Sequence, residues 1–160
     1  MNQITKEKAL AKATTYCARS EHCLYEVRQK LWQWKLAEEH HDEVLRYLTD
    51  NDYIDERRYA EAFARDKHRF SAWGLHRIAD ELRARRIPSE DIQMALTALE
   101  EEYPMADQLT KLLERKLSSL PEGLEARKRH ERLMRYALYK GYAYDDVRSI
   151  IEQLVTDLDD

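Results

Sequence analysis

Apolar residues in this chain recur at helical spacing, and they do so in blocks that repeat. The stretch "CLYEVRQKLWQWKL" lies over "GLHRIADELRARRI" so that Leu24, Val27, Leu31 and Leu36 fall on Leu75, Ile78, Leu82 and Ile87 at a constant offset of 51 residues. After three extra residues in the first connection, Val44 and Leu48 meet Ile92 and Leu96. A looser third block, "KRHERLMRYALYKGYAYDDVRSII", sets Leu133, Ala137 and Tyr142 where Ile78, Leu82 and Ile87 stood. Val147 and Ile151 there take the places of Ile92 and Leu96. A repeat of this length marks stacked supersecondary units. Each block reads as three helices.

The second block shows its boundaries best. Its first helix is predicted from about Asp55 to Phe70, with Tyr59, Phe63 and Phe70 on one face and Asp55 as N-cap. Ser71 to Gly74 interrupts it. The second helix runs from about Leu75 to Arg86, and the third from Pro88–Ser89 to near Glu102. Pro104 then separates the blocks. The third block predicts helices near 106–119, 125–140 and 145–158, with Gly141 suited to a left-handed C-cap. Asp66 falls inside the apolar arc between Tyr59 and Phe70. A buried carboxylate needs a partner, so it is expected to cap the next helix near Gly74–Leu75 or to pair with Arg77. The reading is an all-α chain: an elongated, curved array of three tandem three-helix repeats, residues 1–50, 51–103 and 104–160.

Composition supports helices. Hydrophobic residues make up 43% and charged residues 36%, with only 3 glycines and 3 prolines in 160 residues. The start "MNQITKEKALAKATTY" has no apolar core of a secretory signal, and no window approaches a membrane span. These features point to the cytoplasm, with Cys17 and Cys23 reduced and buried.

A net charge of −4 argues against a dedicated nucleic-acid binder, yet the charge is uneven. Residues 65–86 hold seven Arg or Lys against three acids, and residues 127–140 hold six against one. The acids collect in "EEHHDE", "LEEEY" and "DLDD". On a helical wheel Arg58, Arg65 and Arg69 fall within about 40° of each other. Lys128, Arg132 and Arg135 line one edge of the later helix, with Tyr136 and Tyr139 on the same side. Such stripes suit phosphates with unstacked bases, or an acidic protein groove. They also suit a plain solvated face with internal ion pairs.

Chemistry for catalysis is not evident. His40 and His41 are adjacent and point apart, and Cys17, His22 and Cys23 do not complete a tetrahedral metal set. The thiols read as core residues and the histidines as surface ones. No Ser or Cys has a partner base, and no phosphate loop is present. Trp32, Trp34 and Trp73 read as packing between helices, but Trp32 and Trp34 cannot both face one core. The expectation is a non-enzyme without metal or cofactor.

The segment "YLTDNDYIDERRYAEAFARDKH" resembles the hallmark of the RecX family of recombination regulators through Leu48, Tyr53, Ile54, Asp55, Glu56, Arg58, Tyr59 and Ala60. "WGLHRIADELRARRI" is similar to the family's Gly–Pro–x–x–Ile–x–x–Glu–Leu pattern at Gly74, Ile78, Glu81 and Leu82. "ARSEHCLYEVRQKL" is similar to another pattern at Arg19, Glu26, Lys30 and Leu31, with Cys23 in place of Ser. The resemblance covers residues 16–100 and weakens beyond. Leu75 stands where Pro is usual, and Arg86 where a C-capping Gly is usual. The resemblance implies a cytoplasmic protein of tandem three-helix repeats that binds the RecA recombinase filament and restrains its activity, through acidic protein surface, exposed DNA phosphates within the filament, or both. It implies no cofactor and no catalysis, and the expectation for the chain is a monomer with no membrane partner. The candidate partner-binding residues are Arg58, Arg65, Arg69, Arg77, Lys128, Arg132, Arg135 and Tyr139. One alternative is a direct nucleic-acid binder using "ELRARRIPSEDIQMAL" as a helix-turn-helix. Its recognition helix, Pro88–Leu99, carries Glu90 and Asp91 and no Arg or Lys, which opposes phosphates. The other is a helical scaffold with a different partner.

Overall fold

The computed structural model describes the backbone of residues 3–159 and the side chains of residues 3–156. Among the described residues every regular element is helical. The first repeat contains α1 (Lys6–Arg19), α2 (Leu24–Gln33) and α3 (His41–Asp50), with a 3-10 turn at Glu38–His40 before α3. The second contains α4 (Glu56–Ser71), α5 (Leu75–Ala84) and α6 (Ser89–Glu102). The third contains α7 (Met105–Ser119), α8 (Ala126–Lys140) and α9 (Tyr144–Asp159). No described helix is long and apolar enough to cross a membrane.

Most aligned positions of the three repeats are core positions; Leu24, Leu75 and Leu96 are only half-buried. Val27, Leu31 and Leu36, then Ile78, Leu82 and Ile87, then Leu133, Ala137 and Tyr142 are all buried. So are Val44 and Leu48, Ile92, and Val147 with Ile151. Burial of such side chains is worth about 1.5–3 kcal/mol each, so the repeated pattern is the main folding signal.

The chain divides into two compact units, Met1–Ala62 with Leu82–Met94 and Phe63–Glu81 with Ala95–Asp160. Helices α4, α5 and α6 each give residues to both. The first unit has a core of Ala9, Ala13 and Cys17 from α1, Val27 and Leu31 from α2, and Val44, Leu45 and Leu48 from α3. The second has Leu109, Leu112 and Leu113 from α7, Leu133, Met134 and Ala137 from α8, and Val147, Ile150 and Ile151 from α9.

One backbone position recurs in all three repeats. Lys35, Arg86 and Gly141 end the second helix of their repeats at φ +64°, +58° and +105°. The left-handed conformation closes the last turn: Leu36 N–H donates to Leu31 O, Ile87 N–H to Leu82 O, and Tyr142 N–H to Ala137 O. Arg86 therefore occupies, with a side chain, the conformation that glycine adopts without strain.

Helix α4 departs from its wheel. Asp55 Oδ1 accepts from Arg58 N–H at 3.1 Å, so the predicted cap forms. The buried face, however, is Tyr59, Ala60, Ala64 and His68. Phe70 is 76% exposed, and Asp66 is exposed rather than buried in an apolar arc. His68 decides this, because its Nδ1–H donates to Trp73 O at 2.8 Å and draws the ring inward. A residue two positions from Ala64 or His68 points away from their face. Two histidines read as surface residues are also enclosed. His41 is fully buried with Nε2 3.0 Å from Leu36 O, and His22 stacks on Tyr16 at 3.7 Å. Trp32 is the exposed member of its pair, at 47%.

Candidate partner-binding surface

In the second unit, the N-terminus of α5 meets the C-terminus of α8. Gly74 N–H donates to Lys140 O at 2.8 Å and His76 N–H to Gly141 O at 3.0 Å. The unpaired amides that open one helix thus satisfy the unpaired carbonyls that close another. Lys140 Nζ donates to Ser71 O at 3.1 Å, and the Tyr142 hydroxyl to Ala72 O at 2.9 Å. Burial pushes the Tyr142 phenol well above its ordinary value, which keeps it a donor. Only glycine permits this approach. A Cβ on Gly74 would stand 2.5 Å from Gly141 O, and one on Gly141 would stand 2.5 Å from Arg77 Cβ.

The junction sets Arg77 between two rings. Its Cζ lies 4.2 Å from the Trp73 centroid and 4.7 Å from that of Tyr139. Lys67 Nζ lies 4.9 Å over the other half of this cluster, at Trp73, and 5.6 Å over Phe63. Phe63 and Trp73 meet edge to face at 6.1 Å. Tyr139, 67% exposed, borders a cleft formed by Lys116 and Leu120 of the α7 end and by Arg132, Arg135 and Tyr136 of α8. Lys116 Nζ is 4.8 Å over the Tyr136 ring, and Lys140 Nζ 5.8 Å. Among the described residues no carboxylate forms an ion pair with Arg77, Lys128, Arg132 or Arg135. Cations held on rings and left without acids are attractive to an anionic partner.

The residues singled out in the sequence therefore separate. Arg132, Arg135 and Tyr139 line that cleft, Arg77 reaches its edge through the Tyr139 ring, and Lys128 is exposed one turn before Arg132 on α8. Arg69 is exposed on α4, its Cζ 5.2 Å over the Phe70 ring and 6.0 Å over Tyr103. Arg65 is half-buried and has no ion pair among the described residues. Arg58 lies in the first unit. Its Nε donates to Glu21 at 2.7 Å and its Nη2 to Asp52 O at 3.0 Å, so its guanidinium is exposed but already paired within its own unit. Asp66 neither caps α5 nor pairs with Arg77. Sequence reasoning read Trp73 as packing between helices, counted Lys67 and Lys140 only within the basic runs, and passed over Lys116. The one local signal for them is the Trp73–Gly74 and Lys140–Gly141 pairing of a bulky residue with glycine at two helix ends.

Other titratable groups serve the fold. Glu26 accepts from Cys23 N–H at 3.3 Å, and Glu56 accepts from the Leu24 amide, so both cap α2. Burial, which leaves Glu56 Oε2 without a partner, and the acids Asp91, Asp55 and Glu26 raise Glu56 to about 7. Burial likewise raises Cys17 to about 11 and Cys23 to about 12, so neither is a ready thiolate. Helix α6 opens with Ser89, Glu90 and Asp91 and has no basic residue along its length, which leaves no cation on it to meet a phosphate backbone.

Two family models match the chain. That for the RecX second three-helix domain covers residues 55–96, and that for the RecX third three-helix domain covers residues 104–151. The regulatory protein RecX of Prosthecochloris aestuarii is 27% identical over 156 residues, 98% of this chain and 99% of that one. That of Leuconostoc mesenteroides is 27% identical over 155 residues, 96% of this chain, which spans 57% of the relative's length. The regulatory protein RecX of Vibrio parahaemolyticus is 27% identical over 132 residues, 81% of either chain. A crystal structure of RecX from Lactobacillus salivarius superposes with a TM-score of 0.80 at 24% identity, covering 94% of this chain and 97% of its own, and shares the fold. With tandem three-helix repeats, two matching domain models and relatives that are regulatory proteins, this chain belongs to the RecX family.

Proposed function

We propose that this chain binds the filament of the RecA recombinase and restrains its activity, with no catalytic step of its own. The observation that carries the reading is the face of the second unit where Arg77 is held between Trp73 and Tyr139, beside Arg132 and Arg135. Arginine and exposed aromatic residues dominate the energetics of protein interfaces. The face presents positive charge that the fold itself does not neutralise, so it suits an acidic protein surface or phosphates held within a nucleoprotein filament. Arg65, Arg69 and Lys128 add charge to the same unit. Arg58 is outside the proposal because Glu21 holds it.

The test is a titration against preformed RecA filaments on single-stranded DNA, read as ATP hydrolysis. Hydrolysis is expected to fall at amounts of this protein well below one per RecA subunit. Arg132→Glu with Arg135→Glu is expected to weaken that inhibition while the far-ultraviolet circular dichroism stays unchanged. Unaltered hydrolysis at stoichiometric protein would overturn the proposal. Unaltered inhibition by the double variant would remove this face from it.

A further inference from the structure

Three consecutive residues of α4 pin its first turn to three different elements of the first unit. Arg57 Nε donates to Asp91 of α6 at 3.4 Å, and Arg58 Nε donates to Glu21, in the segment between α1 and α2, at 2.7 Å. Glu56 reaches α2, where one of its oxygens accepts from the Leu24 amide. That amide is among those that open a helix without a partner inside it, so α4 caps α2 from outside. The other oxygen, Oε2, is buried and has no hydrogen-bond partner among the described residues. The residues that make these contacts stand in the segment that resembles the RecX hallmark, yet their contacts are internal to the unit.

We propose that Glu56 is a proton-controlled latch between α2 and α4. With its proton the carboxyl caps α2 and the two helices stay closed; without it the carboxylate leaves for water, and the first turn of α4 parts from α2. The surroundings set this sign. An ionised carboxylate with a buried, unbonded oxygen is costly. Acids face it from each element packed there: Asp91 from α6, Glu26 from α2 and its own neighbour Asp55. The nearby guanidiniums are engaged elsewhere, Arg57 with Asp91, and Arg58 with Glu21 and Asp52 O. Arg85, just past α5, faces Tyr59. The Cys23 thiol and the Tyr59 hydroxyl both donate to Glu26, and His22 pairs with it at 3.3 Å, so these donors go to Glu26 and not to Glu56. Burial and the facing acids together raise the Glu56 carboxyl from 4.5 to about 7.

The other two anchors make the opening local. A guanidinium keeps its charge at any pH a protein tolerates, so Arg57 and Arg58 go on tethering α4 to α6 and to the α1–α2 segment when Glu56 lets go. The closed form holds a proton that the open form, with an ordinary carboxyl, releases. The opening constant therefore rises by up to about tenfold per pH unit between 4.5 and about 7 and is level above that.

The test is amide hydrogen exchange on the full chain from about pH 5 to about pH 8, with rates referred to those of an unstructured peptide. It needs no partner, so its outcome leaves the filament reading untouched. Protection of the Leu24 amide is expected to fall by up to about tenfold per pH unit and to level off at about 7. The Tyr142 amide, bonded to Ala137 O in the second unit, should keep its protection. In Glu56→Gln the Leu24 profile should be flat, and in His22→Gln it should match the wild type. The NMR resonance of the Glu56 carboxyl, which needs no variant, should titrate at the pH where the Leu24 profile levels. A flat wild-type profile, an unchanged profile in Glu56→Gln, or a profile abolished by His22→Gln overturns the inference. So does a Glu56 resonance that titrates at its ordinary value, or loss of protection at Leu24 and Tyr142 together.

Discussion

Gly141→Ala is expected to destabilise the second unit by about 2–4 kcal/mol, and Lys35→Gly at the equivalent position of the first repeat is expected to cost nothing. Both residues end the second helix of a repeat with positive φ. A left-handed conformation costs an L-residue about 1–2 kcal/mol. At Gly141 the added Cβ also meets Arg77 Cβ at 2.5 Å and Arg77 N at 2.6 Å, and overpacking of this kind costs about 1–3 kcal/mol. The alanine chain loses less entropy on folding, which returns about 0.4–1 kcal/mol. At Lys35 the signs reverse: relief of the left-handed strain offsets the entropy of a glycine, about 0.5–1 kcal/mol, and the net change is a gain of up to about 1 kcal/mol. Urea unfolding gives the free energies, and amide exchange locates the damage. The Gly74 and His76 amides, which donate to Lys140 O and Gly141 O, should lose protection first in Gly141→Ala. If Gly141→Ala unfolds within about 0.5 kcal/mol of the wild type, or if Lys35→Gly costs as much, the helix-end junction is not what selects glycine.

Glu56 makes the stability of the first unit depend on pH. Its carboxyl is raised to about 7, so the fold favours the protonated form, and the unfolded chain releases that proton near its ordinary value of 4.5. This group's contribution to stability is therefore fully present below the unfolded value and is lost as pH rises through the folded one. Glu56→Gln, a mimic of the protonated acid, should remove that part of the pH dependence, and a wild-type profile in the variant would refute it. Tyr142→Phe should cost about 1 kcal/mol in urea unfolding, the worth of the hydroxyl bond to Ala72 O. Cys17 and Cys23 should react slowly with a thiol reagent at neutral pH and rapidly in denaturant, because burial holds both protonated. Arg77→Lys should keep the fold and shift tryptophan emission, since a compact ammonium does not replace the planar guanidinium held close to Trp73 and Tyr139. An unchanged spectrum would count against the cation–ring contact.

The fold was legible because its signal is periodic. Val27, Ile78 and Leu133 share a register, and all three are fully buried. The departure at Arg86 from a C-capping glycine was legible as well, and its φ of +58° is the left-handed conformation such a cap requires. Helix α4 misled the wheel, because Phe70 is apolar and His68 is polar, and the structure buries the second and exposes the first. The cause is a hydrogen bond to Trp73 O, five residues on, which no hydrophobic period encodes. The charged residues were least legible. Arg58 and Arg65 sit close on the wheel, but Glu21, 37 residues upstream, takes only Arg58. Which arginine keeps its charge for a partner depends on contacts far along the chain.

The same logic joins stability to the proposed surface. Arg77 reaches its place because α5 begins where α8 ends, and that meeting requires glycine on both sides. Tyr139, one of the two rings against Arg77, lies two residues before Gly141 on the other helix. The cation–aromatic pair is therefore assembled from two repeats by a backbone contact, not by any complementarity of the pair itself. A perturbation of the junction should abolish the pair and cost stability together, whereas a change at Arg132 or Arg135, exposed on α8 and free of ion pairs among the described residues, should alter partner binding alone. Separating those two classes of variant is what distinguishes a surface shaped for a partner from charge that merely surrounds a core.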